Sequence, residues 1–303
     1  MGSVVQTWSS ALIIYARISV QIHHKILLYV TILLDIVLRM CYAVSMARVI
    51  AFTNQKGGVG KTTTCVNMSA FLVEMGKKVL IIDIDPQGNA TSGIGVEKKV
   101  DTKTIYDVLC EQCDISEAVQ TSSVKNLEII PATVDLAGAE IELVRINGRE
   151  RLLKKFLEKV QASYDFICID CPPSLGLLTL NALTCADALV IPIQCEFYAL
   201  EGVSQLINTI KLIRRQNLNP DLDIDGVLLT MYDKRSTLTE QVSNEILKFF
   251  GKKVFKTKIP RNVRLAEAPS HGLPITKYDP KCPGAIAYEQ LAKEFLARLE
   301  KSE

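Results

Sequence analysis

Six short apolar runs recur along the chain at helix-length intervals: RVIAFT (48–53), KVLIID (78–83), LEIIP (127–131), FICID (166–170), ALVIPI (188–193) and IDGVLLT (224–230). They are rich in β-branched residues and do not alternate with polar ones, which is the pattern of strands buried on both faces. Longer segments with helical periodicity lie between them. TTTCVNMSAFLVEMG, for instance, puts apolar or small residues at Val66, Ser69, Ala70 and Val73 and closes on Gly76, as helices end. Strand, helix, strand, repeated, requires parallel strands joined by right-handed crossovers. The expected fold is α/β: a doubly wound, mostly parallel sheet with helices on both faces, one domain over 46–303.

Such sheets bind ligands outside the carboxyl ends of their strands. Three polar motifs fall just there: TNQKGGVGKTTT (53–64) after the first run, DIDPQGNAT (83–91) after the second and DCPPS (170–174) after FICI. The first is a phosphate-binding loop that departs from G-x-x-x-x-G-K-[ST] by one residue, because Gln55 stands where glycine is usual and Lys56 follows it. Gly57, Gly58 and Gly60 free the backbone to turn its N–H groups inward as an anion cradle. Val59 and Thr63 belong to the same nucleotide-binding stretch. A helix starting at Lys61–Thr62 adds its positive end. Lys61 is placed for the β- and γ-phosphates and the Thr62 hydroxyl for Mg2+. Asp170, ending an apolar run, is placed to meet that metal directly or through water. Asp83 reads equally as a strand-end cap or a site residue. Asp85, further into its loop, is placed to orient or deprotonate an attacking water. The cofactors implied are ATP and Mg2+.

With 303 residues, 22% charged and a net charge of +2, the chain is long enough for a large core and is neither polyanion nor histone-like cation. Nucleic-acid binding must therefore come from a local patch. Lys248 to Arg264 supplies one: seven basic residues (Lys248, Lys252, Lys253, Lys256, Lys258, Arg261 and Arg264) and no acid. Lys211, Arg214 and Arg215 either extend it or solvate a helix. Nine scattered cysteines read as reduced thiols rather than a disulfide framework. The pairs Cys110/Cys113 and Cys168/Cys171 have a spacing found in zinc sites. The second pair, however, straddles a buried strand and the loop after it, and no metal is expected there.

Residues 1–45 differ from the rest: they carry four charges (Arg17, Lys25, Asp35 and Arg39), the sole tryptophan and the run ILLYVTILL. Asp35 and Arg39 interrupt any membrane span. An over-extended reading frame ahead of MARVIAF, a membrane-associated extension and a signal peptide all remain open readings. At the other end, AYEQLAKEFLARLEKSE has an apolar stripe and a nearly neutral polar side, so a helix packed on the domain is expected rather than one on anionic lipid.

Taken together, KGGVGKTT, DIDPQGNATSG, DCPPSLGLLTLNAL, EFYALEG, LLTMYD and IPRNVRLAEAPSHG resemble the ParA/Soj family of partition ATPases from Met46 to the C-terminus. The resemblance implies a deviant Walker A loop in which Lys56 reaches across a homodimer to the phosphates of the other subunit's ATP. It implies that Asp85 is needed for hydrolysis, with Lys56 and Lys61 completing the catalytic set. Asp170 would belong to the metal-side switch segment, and Pro260 and Asn262 to the adenine side. Arg235 and Arg264 match arginines implicated in non-specific binding of double-stranded DNA. A ParB/Spo0J-like adaptor would stimulate slow hydrolysis, and the protein would be cytoplasmic and nucleoid-associated.

Overall fold

The computed structural model describes residues 29–31, 33–34, 46–99, 101–196 and 199–301. The chain divides into two units, Met1–Met46 and Ala47–Glu303. In the first, residues 29–31 and 33–34 are helical and exposed, and Met46 is an exposed bend. The readings of residues 1–45 otherwise lie outside the described residues. Among the described residues no helix is long and apolar enough to cross a membrane.

The second unit is built on an eight-stranded sheet. Its strands are β1 (Arg48–Phe52), β2 (Val79–Asp83), β3 (Gln120–Thr121), β4 (Leu127–Ile130), β5 (Phe166–Asp170), β6 (Ala188–Gln194), β7 (Asp223–Tyr232) and β8 (Val254–Pro260). The order across the sheet is β3-β4-β2-β5-β1-β6-β7-β8. Every pairing is parallel except β3 with β4. All six apolar runs are strands. Each sends alternate side chains into two different cores, which is why none alternates in polarity. Val49 and Ala51 of β1 face one core, and Ile50 and Phe52 face the other.

Helices α1 (Lys61–Glu74), α2 (Asn89–Gly93), α3 (Leu177–Cys185), α4 (Ala199–Arg215), α5 (Thr237–Phe250), α6 (Val263–Glu267) and α7 (Pro283–Leu299) matter most to the site. The core beneath Val49 takes side chains from α3 and α4, among other helices, and Ile246 of α5; the core beneath Phe52 takes them from α1 and α7, with Ala90 of α2 and Leu265 of α6. The stripe expected on α1 is too narrow: Thr64 to Leu72 are all buried, whereas Val73 is only half-buried. The reason is that α1 lies between the sheet and α7, so it needs small or apolar residues all round. On α7 the expected stripe holds, with Tyr288, Leu291, Ala292 and Phe295 buried.

Two strands escape the apolar-run criterion. β3 is two residues long, and β8 lies inside the basic run. Val254, Phe255 and Ile259 face inward there, while Lys256 is exposed and the Lys258 ammonium sits 4.0 Å from the Tyr232 ring centroid. Lysines on this edge strand also discourage pairing with another sheet. The basic run is therefore spread over α5, β8 and α6 and is not one uniform face.

Candidate functional site

Strand register brings the motifs together. Phe52 pairs with Asp170, and Asp170 pairs with Asp83, so the carboxyl ends of β1, β5 and β2 are level. On the other side of β1, Phe52 pairs with Val190, while β6 runs on to Gln194 and there pairs with Thr230 of β7. β6 and β7 thus rise past the end of β1 as a wall behind the loop that follows it. Asn54 anchors that loop to the wall: its side-chain amide donates to the Pro192 carbonyl (2.7 Å), and its Oδ1 accepts from the Lys56 amide (3.0 Å).

The glycines then shape a cradle. Gly58 (φ +73°) and Gly60 (φ +87°) occupy the left-handed region, where a side chain is strained. A Cβ placed on Gly57 or Gly58 would meet no protein atom within 4 Å. Among the described residues, the amides of Gly57, Gly58, Val59 and Gly60 donate to no protein acceptor. Consecutive N–H groups of this kind, leading into a helix, form an anion site. Lys61, buried beside them, donates to the Lys56 carbonyl at 3.1 Å. Burial pushes its ammonium below the usual lysine range, an effect opposed by the nearby carboxylates of Asp170 and Asp85.

The three carboxylates are not equivalent. Asp83 is wholly buried and accepts from the Thr91 amide (2.8 Å), the Thr91 hydroxyl (2.7 Å) and the Asp85 amide (3.2 Å). It pins the start of α2 to β2, as a strand-end cap does. Burial raises it to about 6. Asp85 is held by the Gln87 amide at 3.0 Å. Asp170 accepts from the Thr62 hydroxyl at 2.7 Å, while its other oxygen is buried with no partner among the described residues. Burial and then Asp83 raise its affinity for a proton. An uncompensated buried carboxylate oxygen beside a threonine hydroxyl is the donor set a hard divalent cation takes, so the pair fits Mg2+.

Lys56 points elsewhere. Its ammonium pairs with Glu196, just beyond β6, and it is half-exposed. On the far side of Gly60, a cavity of about 380 Å3 is lined by Thr63, Met231, Pro260, Arg261, Asn262 and Tyr288, among others. The structure therefore brings Pro260 and Asn262 to the phosphate loop although 200 residues separate them in the chain. Asn262 caps α6, its Oδ1 accepting from the Arg264 amide at 2.9 Å, which leaves its side-chain NH2 as the available donor.

The AAA-domain family model matches residues 47–224. The chain is 59% identical over 252 residues to the sporulation initiation inhibitor protein Soj of Bacillus subtilis, covering 83% of this chain and 99% of that protein. The chain belongs to the Soj/ParA family of partition ATPases. The chromosome-partitioning ATPase Soj of Treponema pallidum is 51% identical, with 84% of this chain and 98% of that one covered. Among solved structures, a protein of Mycobacterium smegmatis named cobyrinic acid a,c-diamide synthase, with bound ADP and magnesium, superposes with TM-score 0.75. It is 38% identical, and 85% of this chain and 97% of that one are covered.

In this Soj/ParA chain the two arginines assigned to DNA sit apart from the cradle. Arg235 is exposed and pairs with Asp233 (3.1 Å), and Arg264 pairs with Glu267 (2.8 Å) and Asp279 (3.6 Å). Lys248 and Lys253 likewise pair with Glu245 and Asp223. Residues that no motif singled out also build the site: Asn54, Glu196, Thr230, Met231 and Tyr288. Glu196, Thr230 and Met231 lie inside the family-like blocks EFYALEG and LLTMYD. Asn54 sits inside TNQKGGVGKTTT, yet its bond to the Pro192 carbonyl is supplied only by the fold, as is the bond between the Tyr288 and Thr64 hydroxyls.

Proposed function

We propose that this chain is an ATP-dependent partition switch: ATP closes a homodimer that binds double-stranded DNA without sequence preference, and hydrolysis, hastened by a ParB/Spo0J-like adaptor, releases it. The reading is carried by the contrast between the two lysines of the loop. Lys61 is buried against the cradle and bonded to the loop's own carbonyl, whereas Lys56 projects away from it to a half-exposed ion pair. One cation serves the chain's own phosphates and the other is available to a second chain's. An exposed ion pair contributes at most about 1 kcal/mol, so a partner's triphosphate competes easily with Glu196 for Lys56.

In this reading Gly57 to Thr63 and Lys61 hold the phosphates, and the cavity at Pro260 and Asn262 takes the base. Thr62 and Asp170 would hold Mg2+, which would supply charge neutralisation for the phosphates. Asp85, buried at 7% exposure with its loop fixed through Asp83 and Gln87, orients the attacking water. Arg235 and Arg264 exchange surface carboxylates for DNA phosphates on the closed dimer, so binding weakens steeply with salt. Nucleoid association follows from that binding.

The test is retention on a DNA column and mass by light scattering, with ATP or ADP. Lys56→Ala should bind nucleotide as a single subunit and fail to dimerise or to hold DNA. Asp85→Ala should remain on DNA with ATP. A Lys56→Ala protein that still dimerises with ATP removes the cross-subunit role.

A further inference from the structure

Thr230 stands at the end of β7, outside every loop to which a role has been given. Its hydroxyl is buried and donates to the Val59 carbonyl at 2.8 Å, from behind the phosphate loop. Its methyl group is the nearest non-neighbouring heavy atom to a Cβ built on Gly60, at 3.7 Å. The peptide between Val59 and Gly60 is trans, as no cis bond occurs among the described residues. In a trans peptide the C=O and the following N–H point in opposite directions. A carbonyl tied back to the wall therefore turns the Gly60 N–H toward the open side of the loop. Without that tie, the left-handed glycine beside it leaves the peptide free to flip.

We infer that Thr230 is a positioning residue for nucleotide binding: it holds the Val59–Gly60 peptide in the orientation that presents the Gly60 amide to phosphate. The inference rests on the reading of this loop as the phosphate cradle. The next residue extends the role. Met231 is one of four non-glycine residues at positive φ among those described (+48°), and it lines the base cavity together with Gly60 and Thr63. Residues 230 and 231 thus touch the phosphate end and the base end from one strand terminus. A left-handed methionine persists only where the surroundings fix it, and the hydrogen bond of its neighbour to Val59 is such a constraint.

The experiment compares wild type with Thr230→Ser, Thr230→Cys and Thr230→Val, titrating each with ADP, tripolyphosphate and adenosine. Valine keeps the shape and deletes the donor, cysteine keeps a weak donor, and serine keeps a full one. ADP and tripolyphosphate should weaken about tenfold in the valine variant, by an intermediate factor in the cysteine variant and less than twofold in the serine variant. Adenosine affinity should not follow that order. If valine prevents folding, the order of serine over cysteine decides. Equal tripolyphosphate affinity across the series overturns the inference, as does a uniform loss for all three ligands. A wild type that binds neither ADP nor tripolyphosphate would instead remove the underlying assignment of the loop.

Discussion

The proposed phosphate end and the proposed base end of the nucleotide groove are made in opposite ways. The cradle is one stretch of backbone, Asn54 to Thr62, braced by carboxylates whose strands are in register. The base cavity is assembled from four places: the Gly60–Thr63 turn, the end of β7, residues 259–266 and Tyr288 on the C-terminal helix. A contiguous backbone site carries its geometry with it. An assembled one exists only while α7 is packed on α1. Substitutions at the first end should therefore change binding without changing stability, and substitutions at the second should change stability at least as much as binding.

The largest expected effect is at the phosphate end. Lys61→Ala removes charge-assisted contacts to two phosphates, each worth about 1.5–3 kcal/mol, so ATP affinity measured by calorimetry should fall roughly a thousandfold. The thermal midpoint without nucleotide should barely move, because folding already disfavours the charged form of this buried lysine. A large loss of stability with modest loss of affinity would show that the cradle is as dependent on tertiary packing as the base cavity.

The carboxylates bracing the cradle give the next effect. Asp83 moves from an ordinary 3.8 to about 6 on folding, because burial outweighs its three hydrogen bonds. A raised carboxyl binds its proton more tightly in the folded chain, so unfolding free energy should decline as pH rises from about 4 to about 6 and then level off. The span corresponds to roughly 2–3 kcal/mol. Asp170, raised by burial and by Asp83, acts in the same direction. Urea titrations of nucleotide-free protein across this range should show the slope, and Asp83→Asn should reduce it by at least half. Mg2+-ATP should also reduce it, by giving Asp170 a cation. A rising slope would mean that the hydrogen bonds from Thr91 and Asp85 outweigh burial.

The same contrast explains what the sequence discloses. Strand positions are legible because both faces are covered, so each run is apolar throughout. The cradle is legible because glycine, lysine and threonine at fixed spacing leave few other uses for such a loop. Even the level line of Phe52, Asp170 and Asp83 follows from three motifs ending three parallel strands. β8 is hidden because an edge strand tolerates Lys256 and Lys258 on its outer side, and those lysines read as a charged surface. α1 is misread as striped because its second covering comes from α7, more than 200 residues later. Pro260 and Asn262 are visible only through family resemblance, since a cavity lined by backbone and small side chains imposes little on composition. Thr230 and Tyr288 each act by one hydroxyl, and a hydroxyl in a strand or helix has many innocent uses.

Tyr288 provides the smallest and most discriminating test of the assembled end. Its hydroxyl lies 3.1 Å from the Thr64 hydroxyl, fully buried, and Thr64 in turn donates to the Gly60 carbonyl at 2.6 Å. Since the Thr64 proton is committed to Gly60, Tyr288 is the donor to Thr64. Tyr288→Phe therefore removes a donor and leaves Thr64 with its own bond intact, at a cost of about 1 kcal/mol. Thr64→Val breaks both side-chain links and strands the buried Tyr288 hydroxyl, while the Gly60 carbonyl keeps its bond from the residue 64 amide (2.9 Å), so its cost should exceed that of the phenylalanine variant by about 1–3 kcal/mol. In chemical denaturation the order should be wild type, Tyr288→Phe, Thr64→Val. Tripolyphosphate affinity should stay within about threefold for the phenylalanine variant, a change of less than 1 kcal/mol. If Tyr288→Phe instead lowered tripolyphosphate affinity as much as it lowered stability, the C-terminal helix would be part of the phosphate end, and the division between a self-contained cradle and an assembled base cavity would fail.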